Sequence, residues 1–283
     1  MVKVKNIILR KSINKILIES IINHINNNEK LNKIFNHYNK KYKNEELLDC
    51  ILYILKTGIS FRNINKYTKI NWNTIYKYFI KLGKYKIIED TYINNVRKYL
   101  KELEKPSKFI LSDTSLINNK LGIDCISYNP QLKKHKSTKI SIITDNFNVP
   151  LIVNTYESKI NDALILNNQL DKFYNNFPNI NNKIFLGDAA YDSSVLKSKI
   201  KDLFESQLLT PKNKRNIKDI TKKENIELNL IDKLILKSRI FIEHTINQIK
   251  KLKRLTVRYD KYIKNYNTFL NMGALYILIK KIN

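Results

Sequence analysis

Three carboxylates stand where their surroundings fix their direction. Asp188 follows an apolar run and a glycine in IFLGDAAYDS, Asp113 comes directly after another apolar run in FILSDTSL, and Glu243 lies in RIFIEHTINQIKKLKRL. An apolar run bounded by turn signals reads as a buried strand. In open α/β sheets the carboxyl end of a strand is where ligands bind. Mg²⁺ is a hard ion that prefers oxygen ligands and keeps several waters, so a few carboxylates suffice to hold it. Two such ions about 3.5–4 Å apart activate the attacking oxygen and stabilise the leaving one in an in-line phosphodiester reaction. That chemistry needs neither a histidine nucleophile nor a serine triad. A strand-end Asp is also a common turn cap, so Asp188 takes the ion-binding reading only in company with the other two acids.

The residues around Glu243 add cations. Arg239 precedes it by four and Lys250 follows it by seven, so all three project from one helical face, with Asn247 between. Beside a metal site this stripe offers one acid for the ion and two cations for DNA phosphates. Other acids compete: Asp192 and Asp145 follow or end strands, and Glu224 and Glu227 lie near the last helix. Asp192 is the strongest rival of Asp188, which is preferred because it falls immediately beyond the apolar run. His135 and His244 read as structural or phosphate-facing, since His244 points about 100° away from its neighbour Glu243 on a helix.

The elements that must position these groups follow from periodicity. Residues 1–105 read as helical. In ELLDCILYILKTG, Leu48, Ile51, Leu52 and Leu55 have amphipathic spacing, Gly58 stops the helix, and Ser60 caps a short helix in SFRNINKYT. In NWNTIYKYFIKLGKYK, Ile75, Phe79 and Leu82 share one face, and Lys77, Lys81 and Lys84 line another. Two short helices joined by a tight turn, the second with a basic stripe, fit a helix-turn-helix. Pro106 marks a change of composition. Beyond it, KFILSDTSLI, KSTKISIITD, VPLIVNTYES and KIFLGDAAYDS read as strands and DALILNNQLDKFYNNF as a helix. The helix VLKSKIKDLF, the short strand SQLLTP, the basic loop KNKRNIK and a long helix over about 228–255 complete an alternating α/β layout with a mixed sheet over 106–283.

The chain has 283 residues, with 52 Lys and Arg against 25 Asp and Glu, a formal net charge of +27. Such an excess points to a polyanionic partner, although Lys, Asn and Ile are used heavily enough to reflect an AT-rich genome. No stretch reaches the ~18 apolar residues of a membrane span, and the opening segment has neither the form of a signal peptide nor that of an anchor. Two cysteines, Cys50 and Cys125, give no disulfide framework and suggest a reducing compartment.

With DTS at Asp113, GDAAYDS at Asp188 and RIFIEHTINQIKKLKRLTVRYDKY around Glu243, the chain resembles the DDE transposases of bacterial insertion sequences, particularly the insertion-sequence-five group. That family carries an Arg-x-x-x-Glu-x-x-x-x-x-x-Lys pattern, which Arg239, Glu243 and Lys250 reproduce. LLDCILYILKTGISFRNI and NWNTIYKYF look like its helical DNA-binding region, so the resemblance spans roughly residues 44–280. It implies a ribonuclease-H-like mixed sheet flanked by helices (residues 106–283) behind a small all-α, helix-turn-helix-like domain (residues 1–105). It further implies metal-dependent cleavage at element ends and strand transfer into target DNA. Asp113, Asp188 and Glu243 would be ligands of two divalent ions, Mg²⁺ or Mn²⁺.

The implied partner is double-stranded DNA, bound by a homodimer. Arg239, Lys250, Lys77, Lys81, Lys84, Lys212, Lys214, Arg215, Lys253, Arg254 and Arg258 are the expected DNA contacts. The expected location is intracellular, on DNA: bacterial cytoplasm, or nucleus or viral factory in other hosts. The family usually has Tyr three residues before the Arg, where this chain has Leu236. That departure keeps open a catalytically impaired DNA-binding descendant, beside a related nuclease that cuts without joining. The stretch between Asp188 and Glu243 leaves no room for a β-rich insertion domain.

Overall fold

The computed structural model describes residues 12–38, 40–128, 135–212 and 228–283. Helices α1 (Ile13–Asn26), α2 (Glu29–Phe35), α3 (Asn44–Thr57), α4 (Trp72–Lys84) and α5 (Ile87–Glu102) come first, with a 3₁₀ turn at Phe61–Lys66. The local signals act as their chemistry requires. Gly58 ends α3 in the left-handed region at φ 73°, and the Ser60 hydroxyl accepts from the Asn63 N–H that opens the 3₁₀ turn. Leu48, Ile51, Leu52 and Leu55 on α3 and Ile75, Phe79 and Leu82 on α4 are buried. The first element of the expected helix-turn-helix is thus a single 3₁₀ segment rather than an α-helix.

The sheet contains β1 (Phe109–Asn119), β2 (Ser127–Tyr128), β3 (Lys136–Asp145), β4 (Pro150–Glu157), β5 (Ile184–Leu186), β6 (Gln207–Leu209) and β7 (Val257–Arg258). Its body runs β4-β3-β1-β5-β6, antiparallel among β4, β3 and β1 and parallel among β1, β5 and β6. This is the mixed sheet expected. β3 is buried from Ser137 to Asp145, as a central strand covered on both faces must be.

The cover comes from two sides. Helix α6 (Asp162–Asn176) meets one face through Gln169, whose Oε1 accepts from the Ser141 hydroxyl at 2.5 Å. Helix α9 (Ile240–Lys251) packs on the other, where the Thr245 hydroxyl lies 3.3 Å from that of Thr144. The helices α7 (Ser194–Phe204), α8 (Leu230–Leu236), α10 (Lys253–Thr256) and α11 (Ile263–Ile282) complete the described chain. The expected long helix over 228–255 is interrupted twice, by a 3₁₀ step at Lys237–Arg239 and by extended backbone at Leu252. Helix α11 is buried for most of its length, including the polar Asn265, Thr268 and Asn271, so no apolar stripe marks one face of it. It packs on α1, α4, α5 and β4 at once, so the N-terminal helices share one hydrophobic core with the sheet. Among the described residues no helix is long and apolar enough to cross a membrane.

Candidate active site

The parallel ladder sets the first two acids side by side. Leu111 of β1 pairs with Leu186 of β5, and two residues further along each chain come Asp113 and Asp188. The ladder ends at that pair, and both acids lie just beyond its end, close enough for the Asp188 charge to act on Asp113. The Asp113 carboxylate accepts the Thr114 backbone N–H at 2.7 Å. Its other oxygen faces the Arg239 guanidinium at 3.9 Å. Burial pushes Asp113 up to about 6; Thr114 and Arg239 oppose the rise, while Asp188 and Asp162 add to it.

Gly187 has a steric role. A Cβ there would stand 2.7 Å from the ring of Tyr191, which folds back beneath the chain. The ring is buried, and Asp188 caps the 3₁₀ turn that carries it by accepting the Ala190 N–H at 2.8 Å. The glycine lets the turn close, and Asp188 caps that turn while standing beside Asp113. Asp192 is held by Lys197 at 2.6 Å.

The third acid stands apart. Ile242, Ile246 and Ile249 hold α9 on the core, which leaves Glu243 on the exposed side. Arg239, one turn earlier, points its guanidinium toward Asp113 at 3.9 Å, beyond hydrogen-bond distance. Among the described residues Glu243 makes no ion pair or hydrogen bond, and no three acidic, His or Cys side chains converge closely enough to hold an ion. Asp113 and Asp188 fit a hard cation as a pair of oxygen donors, and Glu243 is not joined to them. Leu236, where the resemblance leads one to expect Tyr, packs half-buried against the core.

The expected DNA contacts divide. Lys77, Lys84, Lys212 and Lys253 are exposed, and Lys250 is half-buried, where burial lowers its ammonium pKa. Lys214 and Arg215, like the rival acids Glu224 and Glu227, lie outside the described residues. Three expectations are corrected. Arg258 is fully buried, donating to Asp124, Thr138 and the carbonyl of Asp260. Arg254 is buried against Asp260 at 2.7 Å. Lys81 turns inward to the Ile34 carbonyl at 2.5 Å and lies over the Phe35 ring at 4.7 Å, so the lysine stripe of α4 is broken at its centre. Arg258 and Lys81 are thus engaged by protein acceptors, and Arg254 by Asp260, although the buried Nε of Arg254 has no hydrogen-bond partner among the described residues.

Asp162 and Lys139 went unseen in the sequence. Lys139 is buried in β3 and pairs with Asp162 at 2.7 Å; in the polar-rich run KSTKISIITD nothing in the sequence sets this lysine apart.

Residues 122–278, more than half the chain, match the transposase DDE domain family. That span holds Asp188 and Glu243, with Asp113 just upstream. No curated protein matches the chain. Among solved structures, a piggyBac transposase synaptic complex with hairpin DNA is similar at 7% identity, over 94% of this chain and 74% of that one, with a TM-score of 0.51. A Mos1 transposase paired-end complex with the left transposon end is 10% identical over 78% of this chain and 84% of that one, at a TM-score of 0.28, too loose an overlap to define a shared fold. The piggyBac likeness supports the fold, a mixed sheet flanked by helices of ribonuclease-H-like type. The chain belongs to the transposase DDE domain family, and its function is that of a transposase, a metal-dependent polynucleotidyl transferase.

Proposed function

We propose that the chain is an insertion-sequence-five-like transposase that cuts its element's ends and joins them to target DNA. The observation that carries this reading is the placement of Asp113 and Asp188 just past the end of the β1–β5 ladder, with Arg239 3.9 Å from Asp113. Asp113 and Asp188, with Glu243 of α9, are the residues that would hold two divalent ions, Mg²⁺ or Mn²⁺. When bound, such ions supply charge stabilisation at the attacking and leaving oxygens of an in-line displacement. A water hydrolyses the phosphodiester at the element end, and the freed 3′-OH then attacks a target phosphodiester, so one P–O bond forms as one breaks at each step.

Arg239 holds the terminal phosphate. Its Nε is buried and has no hydrogen-bond partner among the described residues, and a buried unmet donor favours an incoming acceptor. Lys250, Lys253 and Lys212 extend the contact on the catalytic unit, residues 106–283, with Lys214 and Arg215 on the basic loop. Lys77 and Lys84 do so on the helical unit, residues 1–105. Neutralising phosphates in this way makes binding salt-dependent. Two ends are joined by two protomers, and the protein acts inside the cell on DNA.

The test is incubation of the protein with labelled element-end duplex and Mg²⁺ or Mn²⁺. Cut and joined products are expected, and Asp188→Ala should yield neither. Cutting without joining would indicate a nuclease, and gel retardation alone a DNA-binding protein without chemistry. Intact cleavage by Asp188→Ala would overturn the site assignment.

A further inference from the structure

Next to the acid pair lies a second charged group that the proposed chemistry does not use. Thr114 follows Asp113 on β1, and successive side chains point to opposite faces of a sheet. Asp113 therefore faces α9, and Thr114 faces α6. The Thr114 residue makes both connections. Its backbone N–H donates to Asp113 at 2.7 Å, and its hydroxyl donates to Oδ1 of Asp162 at 2.9 Å. Lys139 donates to the same Oδ1 at 2.7 Å and to the Ile160 carbonyl at 2.8 Å. Asp162 opens α6, whose first turn is capped by Asn161, so the backbone that carries it is held at the start of the helix.

The arrangement has an electrostatic side. Asp162 lies close enough to Asp113 for their charges to interact, which places a third carboxylate beside two that already repel. An uncompensated third charge there would be costly. Lys139, 7% exposed, cancels it while leaving the carboxylate as a hydrogen-bond acceptor. A buried ion pair is weak evidence for stability, because desolvation offsets much of the attraction. What this pair supplies is an anchored, neutral acceptor for Thr114.

We propose that Asp162, neutralised by Lys139, is a positioning residue that acts through Thr114 to hold the Asp113 carboxylate in its ion-binding orientation. It rests on the reading of Asp113 as a metal ligand. Partners of this kind behind a ligating carboxylate are worth about 10–100-fold in metal affinity.

The experiment measures Mn²⁺ affinity of the full-length protein by electron paramagnetic resonance of the free ion, with folding checked by melting. Thr114→Val keeps the Lys139–Asp162 pair and removes only the hydroxyl, so it tests the link without stranding a buried cation. We expect it to weaken Mn²⁺ binding about 10-fold, Thr114→Ser to bind as the native chain does, and Asp162→Ala with Lys139→Met to match Thr114→Val. Native affinity in Thr114→Val, or equal losses in Thr114→Val and Thr114→Ser, would overturn the proposal. Asp113→Ala is the control for the underlying reading. If it binds Mn²⁺ like the native chain, the metal-site assignment fails; if it loses binding while Thr114→Val does not, only the positioning role fails.

Discussion

Asp113 and Asp145 sit on neighbouring strands of the same sheet, and burial pushes both carboxyls above the ordinary range. Their surroundings differ in completeness. Asp145 is fully buried and closed off: it accepts the Tyr99 hydroxyl at 2.6 Å and the N–H groups of Phe147 and Val149 at 2.9 and 3.0 Å. Asp113 keeps 21% of its side chain exposed, accepts one N–H, and has a cation at 3.9 Å rather than in contact. The acceptors of Asp145 are taken up within the fold, and those of Asp113 are largely open. The same division separates Arg258 and Lys81, satisfied by protein acceptors, from Arg239, Lys77 and Lys84. In a chain this rich in charge, satisfaction within the fold separates these groups more sharply than residue type does.

The largest expected effect tests that division directly. Asp113→Asn should reduce end cleavage by about a thousand-fold or more, since even an outer partner of a metal ligand is worth about 10–100-fold, while leaving the melting temperature near native. Asp145→Asn should do the reverse, keeping most activity per folded molecule and losing stability. A comparable loss of cleavage per folded molecule in both would erase the distinction.

Stability is where Asp145 should show itself. Asp145→Ala strands the Tyr99 hydroxyl and two backbone N–H groups, a cost on the order of 3 kcal/mol by denaturant titration. A pH series sharpens the test. Because burial raises the folded-state value of Asp145 above its unfolded one, folding binds its proton more tightly. Its contribution is fully present below the ordinary carboxylate range and is lost as pH rises through the raised value. Tyr99 and Lys281 face the same carboxyl and oppose the rise. In metal-free buffer the native chain should therefore lose more stability than Asp145→Asn as pH rises across this window. Parallel curves would mean that the hydrogen bonds cancel the burial.

A smaller effect probes how the acid pair is held. Gly187→Ala places a methyl 2.7 Å from the buried Tyr191 ring, and overpacking of this kind costs about 1–3 kcal/mol. The strain falls next to Asp188, so cleavage should drop further than stability alone explains. Thermal melts and single-turnover rates on the same preparation separate the two, and a native-like rate would show that Asp188 is held without the turn.

Much of this was legible in the residues, for definite reasons. The strand–helix alternation from Phe109 to Leu209 follows from apolar runs of strand length between turn signals, and the end of β5 at Leu186 puts Asp188 where its chain neighbours predict. Asp113 and Asp145 look alike in sequence, each an acid among strand residues, because their difference lies in Tyr99 and the Phe147–Val149 turn, which only the fold brings up. Lys81 shares the spacing of Lys77 and Lys84, but α2 packs beside it and offers the Ile34 carbonyl. In RLTVRYD the basic character of Arg254 and Arg258 hid their partners, Asp260 and Asp124, the second distant in sequence. Helix α11, buried on all sides with polar residues among the apolar ones, has no periodicity to read.

The smallest effect carries the comparison into the helical region. If Lys77 and Lys84 are open cations that meet phosphates, replacing either with Ala should lower the slope of log affinity against log salt by about one, and weaken binding to all duplex sequences alike. Lys81→Ala should leave the slope unchanged, because that ammonium is engaged by the Ile34 carbonyl and the Phe35 ring and its pKa is lowered by burial. Its loss should instead appear as a modest drop in stability, with the C-terminal end of α2 deprived of a capping cation. Fluorescence anisotropy with a labelled duplex across a salt series reads all three slopes. Equal slope changes for Lys77→Ala and Lys81→Ala would show that DNA draws out a cation the fold had satisfied, and satisfaction within the fold would then cease to predict which charges this transposase offers to its partner.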